Sequence, residues 1–165
     1  MQGLFRLLKL FAIVIWVGGL VFFAFVLAPT AFHTLPSIHL AGEVVGSSLK
    51  VFNVLALACG AVLLISTGVL SRSRGARQRK RLELEFLLAG AMLVGTAYIH
   101  WNIVPSMDAD MAALGGDTSK ADPANPAKLH FDKLHMLSER MEGGVMLVGF
   151  VVLFLMSREG TSTDS

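Results

Sequence analysis

Apolar residues fall along this chain in long blocks, not in short amphipathic stripes. Residues 10–28 and 51–70 contain no charged side chain, residues 86–104 carry none if His100 is neutral, and residues 137–156 become apolar only after Glu142. A helix needs about 20 residues to cross the hydrocarbon of a bilayer. The pattern therefore predicts an all-α integral membrane four-helix bundle, one domain with spans at about 8–28, 50–70, 84–104 and 136–156. The first block exceeds the roughly 7–15 apolar residues of a signal peptide, so it reads as a retained span.

Breakers and periodicities refine this outline. Ala28-Pro29 is expected to end the first helix, because proline lacks a backbone donor and crowds the preceding turn. Pro36-Ser37 is a favourable start for the second. Unbroken to Leu70, that helix would be about 50 Å long, well beyond the hydrocarbon, so its first turns form an amphipathic extension outside. His39, Glu43, Gly46, Lys50 and Asn53 share one face of it. Ala56-x-x-x-Gly60 and Ala91-x-x-x-Gly95 are spacings that let helices approach closely in lipid. Tyr98 and Trp101 suit the aromatic belt at the interface. Residues 105–133 read as a long outer loop with a short helix near 107–114, and no internal repeat is evident.

Composition agrees with the pattern and charge adds an orientation. The chain has 165 residues, 54% hydrophobic and 16% charged, against about 25% charge in soluble domains. Arg72, Arg74, Arg77, Arg79, Lys80 and Arg81 crowd one short connection, and short basic loops stay in the cytoplasm. That places loop 71–81, the N-terminus and the tail 157–165 inside, with a net charge of +5 there and −3 outside, which together give the chain's +2. The expected location is the cell membrane, multi-pass, with residues 72–81 against anionic lipid headgroups. No nucleic-acid-binding module accompanies the basic run, and a homo-oligomer is left open. Cys59 is the only cysteine, which excludes an internal disulfide. All five histidines fall in the outer half.

The candidate chemistry lies at the start of the last span. Asp132, His135, Ser138, Glu139 and Glu142 project from one helix face and lead into Met146 and Gly149. Ionisable groups at the edge of the hydrocarbon are costly and turn inward to partners. His100, His39 and Glu43 belong to the same side. Imidazoles with carboxylates suit a zinc or copper ion, with Met107, Met111, Met136 and Met141 as soft auxiliary ligands. The candidate metal set is therefore His135, His100, Glu139, Glu142, His39 and Glu43. A structural polar network of Lys50, Asn53 and Ser138 accompanies it, haem on paired histidines and a proton or solute path being the competing readings. The plainer alternative is that Lys50 pairs with Glu139 or Glu142 to fix helix register, and that His33 and His130 are merely solvated. No phosphate loop, nucleophile elbow or HExxH is present, which disfavours a soluble-type enzyme.

Trp16-x-Gly18-Gly19-x-x-Phe22-Phe23, Ala28-Pro29-x-x-Phe32 and Phe131-x-x-Leu134-His135-x-x-Ser138 also carry a resemblance. Together they resemble the uncharacterised bacterial membrane family grouped with eukaryotic transmembrane protein 205, and more remotely the membrane domain of copper resistance protein D. The resemblance spans about Leu4 to Met156. It implies metal handling, with His135 and Ser138 as the family-like positions, and its remote kin that oxidise porphyrinogens keep haem open. The two functional expectations are thus a small membrane protein handling a metal at an outward His/carboxylate cluster, and a packing or interaction protein without a cofactor.

Overall fold

The computed structural model describes residues 2–72 and 76–158, apart from the side chains of residues 76 and 77. Parts of the expected basic loop 71–81 and tail 157–165 lie outside the described residues. The elements are α1 (Gln2–Phe22), α2 (Ala28–Thr34), α3 (Ile38–Ser71), α4 (Ala76–Tyr98), α5 (Val104–Ala113) and α6 (Pro126–Ser157), with no strand among the described residues. Four continuous rods result, over Gln2–Thr34, Ile38–Ser71, Gln78–Ala113 and Pro126–Ser157, each long and apolar enough to cross a membrane. At 1.5 Å per residue each is about 50 Å long and so outreaches the roughly 30 Å hydrocarbon.

Neither internal proline ends its helix. A five-residue π-helical turn, Phe23–Leu27, joins α1 to α2, and a second, Ile99–Ile103, joins α4 to α5. Just before each proline the backbone bonds shift from four residues back to five. The Ala28 N–H reaches the Phe23 carbonyl and the Val104 N–H reaches the Ile99 carbonyl. The wider turn moves carbonyls out of the path of the proline ring, so the rod continues where the sequence predicted a stop. Hydroxyls help hold the turns that follow. Thr34 donates to the Thr30 carbonyl and Ser106 to the Asn102 carbonyl, each at 2.7 Å. Residues 105–133, expected to be mostly loop, are helical at both ends, which leaves the connection 114–125. Ser37 caps α3 by accepting from the Leu40 N–H at 3.2 Å, and Asn125 caps α6 by accepting from the Ala127 N–H at 2.9 Å.

The two halves repeat one plan, which the sequence reading missed. Each runs as long helix, π turn, proline, short helix, connection, long helix. The two π turns begin 76 residues apart, and so do the two prolines. α1 packs on α3 and α6, and α4 packs on the same two, so α1 and α4 face one another across the diagonal of the bundle.

Ile13, Trp16, Val17 and Leu20 of α1 fill the core with Ala56 and Leu63 of α3, Ala89 and Met92 of α4, and Val145 and Val152 of α6. Gly60 makes this possible on α3. A Cβ there would stand 2.5 Å from Leu93 Cδ1 and 2.8 Å from Trp16 Cζ3, so only glycine admits both side chains. Ala56 is fully buried beside it, whereas Ala91 of the other small-residue pair is exposed and only Gly95 is used, against Val145. Leu10, Phe11, Val51, Ile65, Leu87, Val94, Leu147 and Phe154 point outward. That apolar exterior is the surface a bilayer covers.

Candidate functional site

Polar side chains enter the bundle at two levels. Gly60, touching Trp16 and Leu93, marks the middle. The end carrying residues 72–81 is called the basic end here, and the end carrying the connections 35–37 and 114–125 the loop end. Lys9 lies seven residues from Trp16 towards the basic end, Thr67 seven from Gly60, and Glu85 eight from Leu93, so all three share a level about 10–12 Å from the middle.

Lys9 Nζ and Glu85 Oε2 meet there at 2.6 Å, with side chains only 1% and 2% exposed. They too stand 76 residues apart, which makes them the equivalent positions of the two halves, joined across the diagonal. Removing both charges from water costs several kcal/mol each, and close pairing is what offsets it. Neither Lys9 nor Glu85 is among the site candidates that the sequence suggests. A signal was present: Glu85 is in helical phase with buried Ala89, Met92 and Thr96, and Lys9 with Ile13, Trp16 and Leu20.

At the loop end, seven residues beyond Gly60 and Leu93 reach Asn53 on α3 and His100 in the second π turn, each about 10 Å along. On α6, Val145 packs against Gly95, and Glu142 and Ser138, three and seven residues further out, bracket the same level. The π turn packs on both α3 and α6. The Ser138 hydroxyl donates to Glu142 Oε1 at 3.1 Å, and Ser138 is buried while Glu142 is half-buried. Asn53 is 2% exposed, yet its Nδ2 has no hydrogen-bond partner. His100 as a residue is half-buried, but its Nδ1 atom is shielded and unpartnered, its ring standing edge-on to Trp101 at 5.6 Å.

The six predicted metal ligands are not brought together. Among the described residues no three His, Cys, Asp or Glu side chains group so as to hold an ion. His39 and Glu43 form one pair on α3 at 3.8 Å, and His135 and Glu139 another on α6 at 3.3 Å. α3 and α6 occupy opposite corners of the bundle, which is why residues on the same side of the membrane fail to meet. His135 and Glu139 are half or more exposed at 54% and 66%, the imidazole stacking on Phe131. His100 and Glu142 belong to the interior level described above.

Lys50 pairs with neither Glu139 nor Glu142. It donates to both carboxylate oxygens of Asp108 on α5, at 2.8 and 2.7 Å. The reason is again the diagonal, since α3 packs beside the proline-continued third rod, whereas α6 stands at the opposite corner. His130, merely solvated in the plainer alternative, lies in α6; it is exposed, but its Nδ1 sits 2.7 Å from Asp110 Oδ2. α5 is thereby fastened to α3 and to α6. In the connection beyond it, Asp117 accepts from the Ser119 hydroxyl and pairs with Lys120 at 3.0 Å. These donors, the hydroxyl first, hold its carboxyl down at about 2.

A family model described as "Domain of unknown function (DUF4149)" matches residues 11–113. The chain belongs to this family. The DUF4149 match runs from α1 to the last residue of α5. It therefore includes Trp16, Asn53, Glu85 and His100 but leaves Lys9 and all of α6 outside. No curated protein and no solved structure matches the chain. The DUF4149 assignment supports an uncharacterised membrane family and lends nothing to the resemblance to transmembrane protein 205 or to copper resistance protein D.

Proposed function

We propose that the protein is a packing or interaction component of the cell membrane, its basic end in the cytoplasm, whose polar side chains fix the bundle and do not gather a cofactor. The observation that carries this reading is the pairing pattern. Lys9 with Glu85, Lys50 with Asp108, His130 with Asp110 and Ser138 with Glu142 all engage protein groups, three of the four between different helices. Side chains committed in this way position helices, whereas a metal handler needs its ligands converging on one point. The metal reading retains only two separate His/Glu pairs, too few donors each for a specific ion.

The orientation follows from Arg72, Arg79, Lys80 and Arg81 at the basic end, where anionic headgroups of the cytoplasmic leaflet attract them. Purified protein titrated with copper(I) and zinc is expected to show no stoichiometric uptake and no change in thermal stability, and no Soret band. Tight uptake abolished by His135→Ala would overturn the reading in favour of a metal site. For orientation, Gly75→Cys in a Cys59→Ser background should react with an impermeant thiol reagent only after the cells are opened.

A further inference from the structure

A buried amide with no partner is expensive, and two such atoms at one level of a membrane bundle call for an explanation. Asn53 Nδ2 is a pure donor, and His100 Nδ1 donates or accepts according to tautomer. Burying such an atom unpaired is destabilising, and hydrocarbon supplies no partner. The remedy inside proteins is bound water, which needs two to four polar neighbours. Asn53, His100, Glu142 and Ser138 provide that number from three different elements at one height.

The exposure gradient along α6 gives the direction of entry. His135 and Glu139 are exposed, Glu142 one turn deeper is half-buried, and Val145 and Gly149 beyond it are buried. Gly149 lies against Val17 and Met92, and Trp16, Ile13 and Leu63 close the same layer with under 2% exposure each. Water entering along the α6 stripe would therefore stop mid-membrane. The π turn carries His100, whose Nδ1 is buried, between the buried Ile99 and Ile103. π turns recur at functional positions.

We propose that the loop-end half of the bundle holds a small cluster of bound water, hydrogen-bonded by Asn53 Nδ2 and His100 Nδ1 and reaching the Glu142 carboxyl, which forms a one-sided aqueous entry closed at the Trp16 layer. This goes beyond the packing role and does not depend on it, since metal titration and water labelling read different properties.

The test is radiolytic hydroxyl labelling of the intact protein in lipid nanodiscs, read residue by residue by mass spectrometry. Water held beside a side chain converts to hydroxyl radical in place, so His100 is expected to be labelled. Met92, intrinsically more reactive but in the dry core, should stay unlabelled. Asn53→Leu, close in volume, should abolish the His100 label and lower the Tm by several degrees, because it strands the water's other partners. Asn53→Asp, which keeps a polar group, should retain the label. The proposal is overturned if His100 stays as unlabelled as Met92. It is equally overturned if Asn53→Leu raises the Tm, the result expected when an unpaired amide is replaced by a fitting apolar group.

Discussion

The two halves of the bundle share a plan and differ in what fastens it. Residue for residue 76 apart, Phe23 and Ile99 open π turns, and Pro29 and Pro105 follow them. Lys9 and Glu85, at the same separation, face each other. Beyond the prolines the likeness stops. α5 carries Asp108 and Asp110, bound to Lys50 of α3 and His130 of α6, where α2 has Phe32 and Thr34 at the corresponding positions. The repeated backbone shapes the bundle. The departures from repetition decide which half docks where, because two lysines or two glutamates at the diagonal would repel.

That comparison is broken most severely at its centre. Lys9→Met or Glu85→Ala alone breaks the buried pair from one side, and the expected loss is about 3–5 kcal/mol in unfolding from mild detergent. The double variant Lys9→Met/Glu85→Met replaces the pair by apolar side chains of similar volume and should recover most of that loss. A double variant as unstable as either single one would show that the contact contributes more than neutralisation. Next in size is Gly60→Val, which drives a side chain into Trp16 and Leu93. Overpacking of this kind costs about 1–3 kcal/mol, measurable in the same unfolding assay.

How far the sequence disclosed these features depends on where each feature's cause lies. The four spans were legible because lipid imposes composition on every residue of a crossing helix. The start of α3 was legible too, since Ser37 and Pro36 act through their own backbone. Pro29 and Pro105 misled for the opposite reason: whether proline ends a helix or is absorbed by a π turn depends on neighbouring helices that hold the rod straight. The α6 stripe of His135, Ser138, Glu139 and Glu142 was visible in the periodicity. Its partners were not, because they sit on other helices and the diagonal arrangement decides which of them come near. Lys50 was assigned Glu139 or Glu142 on depth alone, and depth does not say which corner a helix occupies. The halves share geometry without sharing side chains, so their likeness became visible only in three dimensions.

A smaller effect sharpens the contrast at the loop end. Lys50, Asp108 and His130 are exposed, Asp110 alone being largely covered, so Lys50→Ala or His130→Ala should cost only about 0.2–1 kcal/mol each. Local motion is the better readout. Amide hydrogen exchange across residues 104–113 should rise in either variant towards that of residues 28–34, which lack such fastenings. Unchanged exchange across 104–113 would mean that α5 is held by its apolar contacts with α6 alone.

The smallest expected effect concerns the connections themselves. Half one turns between its rods in residues 35–37, whereas half two uses residues 114–125, where Gly115 and Gly116 adopt left-handed φ of 73° and 88°. A longer connection loses more entropy on ordering, and turns at Asp117 and Asp122 restrain it. The carboxyl of Asp117 titrates at about 2 against an ordinary 3.8, held down first by the Ser119 hydroxyl and then by Lys120. A depressed acid stabilises the folded turn only when ionised. The contribution is therefore complete above about pH 4 and fades as the pH falls from there through 2. Asp117 lies in a surface connection and bonds only within its own turn, so global unfolding should barely register the change. The Ser119 amide, which donates to Asp117 Oδ1 at 2.9 Å, should report it as a chemical-shift titration with a midpoint near 2. Ser119→Ala and Lys120→Ala should each move that midpoint up, because both side chains favour the ionised carboxyl. An unshifted midpoint in Ser119→Ala would show that the lysine, not the hydroxyl, holds the turn.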